Sequence, residues 1–185
     1  LPADCLLREE PGEHIILPQP GHHAEAGLEL WMNRSAFNPL LVPVCARHGA
    51  MLVSAQSISE KLVQQLLDRA VRKTTILCLS DLSRESFLFC HSLSVALARA
   101  RRPDAPEIRI HRGGLSPEQV LQWKIPMISQ EKGSKEASKQ FKKYLQAYGL
   151  DHNKMAELDA LEAFYPRGIA GFCDDLLANY AKDRV

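Results

Sequence analysis

From Gly27 onward the chain switches repeatedly between short apolar runs and longer stretches in which apolar residues recur three or four positions apart. The runs GLELWM (Gly27 to Met32), AMLVSA (Ala50 to Ala55), TTILCLS (Thr74 to Ser80) and EIRIHRGGL (Glu107 to Leu115) predict strands. TTILCLS is almost unbroken, as in a strand buried on both faces of a parallel sheet. Between them, SAFNPLLVPVCARHG (Ser35 to Gly49) has helical spacing and a glycine stop. The segment ISEKLVQQLLDRAVRK gathers Leu62, Val63, Leu66, Leu67 and Ala70 on one face, with Ser57 or Ser59 as its cap. RESFLFCHSLSVALARARR is a third helix, closed by Pro103. Further on, LSPEQVLQWKIP is a short helix with Ser116 as cap and Pro117 at its first position. SKEASKQFKKYLQAYG is a Lys-rich helix, and MAELDALEAFYP and GIAGFCDDLLANYAKD supply the last helical pieces.

Strand and helix alternating with short joints predict an α/β fold: a Rossmann-like, mostly parallel sheet of about four strands flanked by helices. The carboxyl ends of parallel strands share one edge, where such folds bind ligands. Asn33-Arg34, Ala55-Gln56-Ser57 and Asp81-Leu82-Ser83 should therefore meet there. At 185 residues the chain suits a single domain. Residues 27–185 are read as that domain. Residues 1–26, rich in Pro, Gly, Glu and His without a sustained period, are read as an irregular arm.

Charge narrows the partners. Lys plus Arg number 23 against 22 Asp plus Glu, so bulk attraction to nucleic acid or anionic membrane is absent and any such binding must be local. No apolar run approaches the roughly 20 residues of a membrane helix, and the first residues lack the order of a signal peptide, so a cytoplasmic address is expected. Five scattered cysteines without a C-x-x-C pair read as reduced core thiols. His22-His23 reads as an exposed pair, and HRGG (His111 to Gly114) as a turn, since it lacks the spacing of a phosphate loop. Lys132, Lys135, Lys139, Lys142 and Lys143 fall on one side of a helix. That side is a solvated face or, with Arg101 and Arg102 as a second basic spot, a track for a phosphate backbone. Neither a nucleophile elbow nor a dinucleotide fingerprint is present.

Four stretches in order, LWMNRSAF, LVPVCARHGAMLVSAQSIS, ILCLSDLSRES, and RGGLSPEQVLQWKIP followed by AELDAL, resemble the Toprim domain. The likeness is to the branch holding the topoisomerase VI A subunit, the meiotic double-strand-break protein and their prokaryotic relatives, and it spans roughly Gly27 to Val185. It implies a Mg²⁺-assisted phosphodiester site on DNA at the turns after the first and third strands. By this resemblance Asn33 occupies the place of the family's general acid-base Glu, Arg34 that of a Lys, Asp81 that of the first metal acid and Ser83 that of the second. Ser86 stands for the closing Gly.

The departures are chemical. An amide cannot exchange a proton near neutral pH, and a hydroxyl is a weak ligand for Mg²⁺. Glu85, on the first turn of the following helix, and Glu157 with Asp159, if the last segment folds back, are the residues that could rebuild a cation site beside Asp81 and Ser83. Otherwise Glu85 serves the helix dipole. Positions 33 and 83, at a loop edge, are expected to face solvent. The expectation is a degenerate Toprim-like domain, with Mg²⁺ bound weakly or not at all, acting as a binding or scaffolding module of a DNA-processing or defence protein. Arg34 and the five lysines are its candidate nucleic-acid contacts. A Mg²⁺-dependent nuclease with a rearranged acid set is the alternative. Nothing resembles the Tyr-bearing helical domain of the family's breaking and joining enzymes, so the chain alone should not act as a topoisomerase. A protein partner or further domains are implied, and the sequence is compatible with a homodimer.

Overall fold

The run at Gly27 to Met32 becomes a strand buried at every position, as expected where both faces are covered. The computed structural model describes residues 7–10, 13–16, 27–100, 103–130 and 135–182. In chain order these hold β1 (Leu7–Glu10), β2 (Glu13–Ile16), β3 (Leu28–Met32), α1 (Asn38–Arg47), β4 (Met51–Ala55), α2 (Glu60–Arg69), β5 (Thr74–Cys78) and α3 (Arg84–Ala100). Then come β6 (Ile108–Arg112), α4 (Pro117–Trp123), β7 (Ile128–Ser129), α5 (Lys135–Gln146), β8 (Lys154–Met155), a 3₁₀ turn (Leu158–Ala160), α6 (Leu161–Phe164) and α7 (Gly168–Lys182).

Strands β4, β3, β5 and β6 lie side by side in that order and all run parallel, forming a Rossmann-like α/β sheet. The register Met32 to Ser54, Trp31 to Cys78 and Cys78 to Arg112 brings the turns after β3, β4, β5 and β6 to one edge. Asn33, Ser57 and Asp81 thus share the edge predicted for them. At the far side of β4 the sheet continues antiparallel through β2 and β1. The reading of residues 1–26 as irregular is corrected over this hairpin. LREE and EHII are four residues each and rich in Glu and His, too short and polar to show a strand period.

The two faces sort by alternate positions along each strand. Leu28, Leu30, Met32, Leu52, Leu77 and Leu79 pack against α1, α4, α5, α6 and α7. Trp31, Met51, Val53, Ala55, Ile76 and Cys78 pack against α2 and α3. Each large apolar side chain so buried contributes about 1.5–3 kcal/mol. One polar unit interrupts the second face. Glu29, 5 % exposed, accepts a 2.6 Å hydrogen bond from the Trp31 indole and a bidentate pair from Arg69 Nε and Nη2 at 2.9 and 2.8 Å. This ties the end of α2 to the middle of the sheet.

Local signals placed the helix starts well. Ser59 caps α2 by accepting from the Leu62 amide, and Ser116 forms a full capping box with Gln119 ahead of α4. HRGG, read as a turn, divides: His111 and Arg112 end β6 and the chain bends at Gly114, where the reason for glycine is contact. A Cβ at Gly114 would collide with the backbone of Ser80, on which the Leu115 amide also closes. The pairing of β7 with β8 was invisible to periodicity, since each strand is two residues long. Among the described residues, no helix is long and apolar enough to cross a membrane.

Candidate functional site at the carboxyl edge of the sheet

Asp81 follows β5, a strand buried at every position but Thr75, by three residues and is itself only 8 % exposed. A carboxylate so placed needs partners. It finds two. Its Oδ1 accepts from the Leu158 amide at 2.7 Å and from Arg34 Nη2, which arrives from the turn after β3. Arg34 Nη1 also pairs with Asp159 at 3.3 Å, and the guanidinium stacks 5.0 Å from the Phe37 ring centroid. One cation therefore bridges two carboxylates and two distant chain segments. Burial pushes the Asp81 carboxyl above its ordinary range; the Leu158 amide and Arg34 oppose this, and Glu157 and Asp159 add to it.

The last segment does fold back onto the edge. Leu82 and Ala156 exchange backbone hydrogen bonds of 2.9 and 3.2 Å as an antiparallel bridge. Beside it Arg84, buried in the first turn of α3, donates from Nη2 to the His152 carbonyl and to Asn153 Oδ1 at 2.9 and 3.1 Å. Gln130 accepts from the Arg84 amide at 3.1 Å and donates to the carbonyls of His152 and Lys154. Sequence reasoning missed both arginines as organising residues. Arg84 gives no signal in a polar helix start, and Arg34 was read only as a substituted Lys and a nucleic-acid contact.

The candidate residues thus divide. Asn33 and Arg34 lie at the same edge as Asp81, and Glu157 and Asp159 reach it. Ser83 is close in sequence but engaged elsewhere: its Oγ accepts from the Ser86 amide at 3.2 Å and donates to Ser86 Oγ at 3.0 Å, the geometry of an N-cap for α3. At 4 % exposure it also corrects the expectation of a solvent-facing position 83, because the turn is covered by the returning segment. Glu85 is exposed on the first turn of α3, where it complements the helix dipole. The charges acting on Asp81 are those of Arg34, Glu157 and Asp159.

A hard cation at Asp81 needs further carboxylates and room for water. Here a guanidinium already joins Asp81 to Asp159, the Ser83 hydroxyl is committed to its cap, and among the described residues no group of three His, Cys, Asp or Glu could hold a metal ion.

Of the basic residues, Lys139, Lys142 and Lys143 are exposed on α5, whose opposite side buries Phe141 and Leu145 against the core beside Phe87. Lys135 begins the same helix; Lys132, Arg101 and Arg102 lie outside the described residues, as do His22 and His23. Arg112, at the end of β6, lies over the rings of Phe87 and Tyr144 at 4.6 and 5.1 Å. No family model matches this chain, and no curated protein matches it.

Proposed function

We propose that the chain is a Toprim-like domain with degenerate catalytic acids, serving as a binding or scaffolding module of a cytoplasmic DNA-processing or defence protein, with a protein partner or further domains supplying any chemistry. The observation that carries this reading is the Arg34 bridge between Asp81 and Asp159. A tethered cation costs no translational entropy and balances the two carboxylates, so a free Mg²⁺ has to displace it and give up hydration as well. Asn33 offers no proton-transfer group beside it. Calorimetric titration with Mg²⁺ and then Mn²⁺ should give no binding heat up to millimolar metal. Binding that disappears in Asp81→Ala would overturn the reading.

That outcome would favour a Mg²⁺-dependent nuclease, for which one observation speaks: Glu157 and Asp159 are both near enough to act on Asp81. In that case Arg34 has to leave the acids before a metal enters.

DNA is the proposed partner of the α5 face. Exposed lysines that neutralise phosphates release counterions, so duplex affinity should fall steeply with salt and be indifferent to sequence. Reversal of Lys139, Lys142 and Lys143 to Glu should abolish it in a fluorescence-anisotropy titration. If the triple variant binds as tightly as the wild type, these lysines are only a solvated surface.

A further inference from the structure

We propose that the outer edge of β6 is a self-association surface, on which two copies of this chain pair their β6 strands antiparallel about Ile108 and join their sheets into one. β6 ends the sheet, hydrogen-bonded to β5, and among the described residues no strand pairs with its other side. The ladder fixes which groups point outward. Thr74 donates to the Glu107 carbonyl and Gly113 to the Cys78 carbonyl, each at 2.9 Å, so residues 107, 109, 111 and 113 turn their backbone groups toward β5. The N–H and C=O groups of Ile108, Ile110 and Arg112 alternate with these and face away from the sheet. Such a row is a template for another strand.

The sequence PEIRI selects a second copy as that strand, because its chemistry is mirrored about Ile108. Under a two-fold axis at Ile108, Glu107 lies opposite the partner's Arg109 and Pro106 opposite the partner's Ile110. Ile108 and its counterpart then exchange both backbone hydrogen bonds. Glu107 and the partner's Arg109 fall in the intervening position, where facing side chains come closest. Symmetry doubles that ion pair. Within the chain Arg109 Nε already holds Glu107 at 2.7 Å, with both side chains about half exposed, so the four charges alternate in sign around the axis. Moving the axis to Ile110 puts Arg109 opposite the partner's His111 and loses both ion pairs.

The two faces of the strand divide the work. His111 stacks on Tyr180 of α7 at 5.0 Å between centroids, which by alternation sets Glu107 and Arg109 on the α7 side. On the other side Ile108 and Ile110, only partly buried, pack against the layer of α2 and α3. Beside them a cavity of about 300 Å³ opens, lined also by Leu67, Leu97, Ala98 and Pro106. Pairing lines up Pro106, Ile108 and Ile110 of both strands in one apolar row along that opening and takes it out of water.

The test is sedimentation velocity of the full chain over a concentration series. The wild type is expected to pass from monomer to dimer, with amide exchange at Ile108 and Ile110 slowing over the same range. Glu107→Arg and Arg109→Glu each set like charges face to face, so either variant alone should dimerise at least about tenfold more weakly. Both side chains are exposed, and the circular dichroism of each variant should match the wild type. Mixed one to one, the two variants should recover the dimer, since one carries only cations at these two positions and the other only anions. A wild type that stays monomeric up to about 100 μM overturns the proposal and leaves β6 to an extended peptide of another protein. A dimer that neither variant weakens, or a mixture that remains monomeric, overturns it as well.

Discussion

Arg69→Ala should lower the stability of the chain by about 3–5 kcal/mol, the range for removing one partner of a buried ion pair. Arg69 makes two hydrogen bonds to Glu29, which is buried between the sheet and α2 and, among the described residues, otherwise holds only the Trp31 indole. Without the guanidinium, a buried carboxylate loses its counter-charge. Urea denaturation should show an earlier midpoint with an unchanged slope, since the surface exposed on unfolding is the same. Adding Glu29→Gln in the same chain should recover much of the loss, because a neutral amide can still accept from Trp31 without an unpaired charge. Equal midpoints for Arg69→Ala and the double variant would show that the charge itself is not what Arg69 offsets.

Arg34→Ala should cost about 2–3 kcal/mol at neutral pH, less than the Arg69 change because the Arg34 side chain is 31 % exposed and its pairs are partly screened. The pH dependence distinguishes this from lost packing. With Arg34 gone, Asp81 keeps the upward push of burial and of Glu157 and Asp159 and loses one of the two influences opposing it. An acid whose folded-state pKa is raised binds its proton more tightly in the native state, so its ionisation destabilises the fold as pH rises through that value. The deficit should therefore be largest at neutral pH and shrink on acidification toward the upper carboxylate range. Amide exchange at Leu158 should quicken, since its acceptor is the same carboxylate. Arg34→Lys should fall between, keeping the charge but not the fork that reaches both Asp81 and Asp159. A deficit that is flat in pH would assign the loss to the Phe37 stacking contact instead.

The parallel sheet was legible because its strands carry their own period and its helices their own caps: TTILCLS, Ser59 and Ser116 need no tertiary context to be read. The hairpin of LREE and EHII was not, since the pairing of EHII with β4 and of LREE with EHII, rather than any apolar pattern, makes these segments strands. At the site, Asp81 stands out as an acid closing an apolar strand, and AELDAL reaches its edge by folding back through the Leu82–Ala156 bridge. The Arg34 bridge was illegible because it joins residues 47 positions apart through side-chain geometry alone. Ser83 was misjudged for a related reason. A serine before a helix announces a cap, but whether a later segment lies over it is decided by the Leu82–Ala156 bridge.

The separation of 77 positions between Asp81 and its Leu158 partner also sets a clock on synthesis. At about 5–20 residues per second, roughly 4–15 s pass between the emergence of the strand turn and that of the segment which closes it. The inward side of α1, with Leu41 and Val44, waits longer still for Ile169 and Phe172 of α7. A nascent chain carrying β3, β4 and β5 would hold apolar faces and a half-partnered carboxylate open for that interval. Pauses or chaperone contacts before the last helices are made should therefore influence yield more than those after.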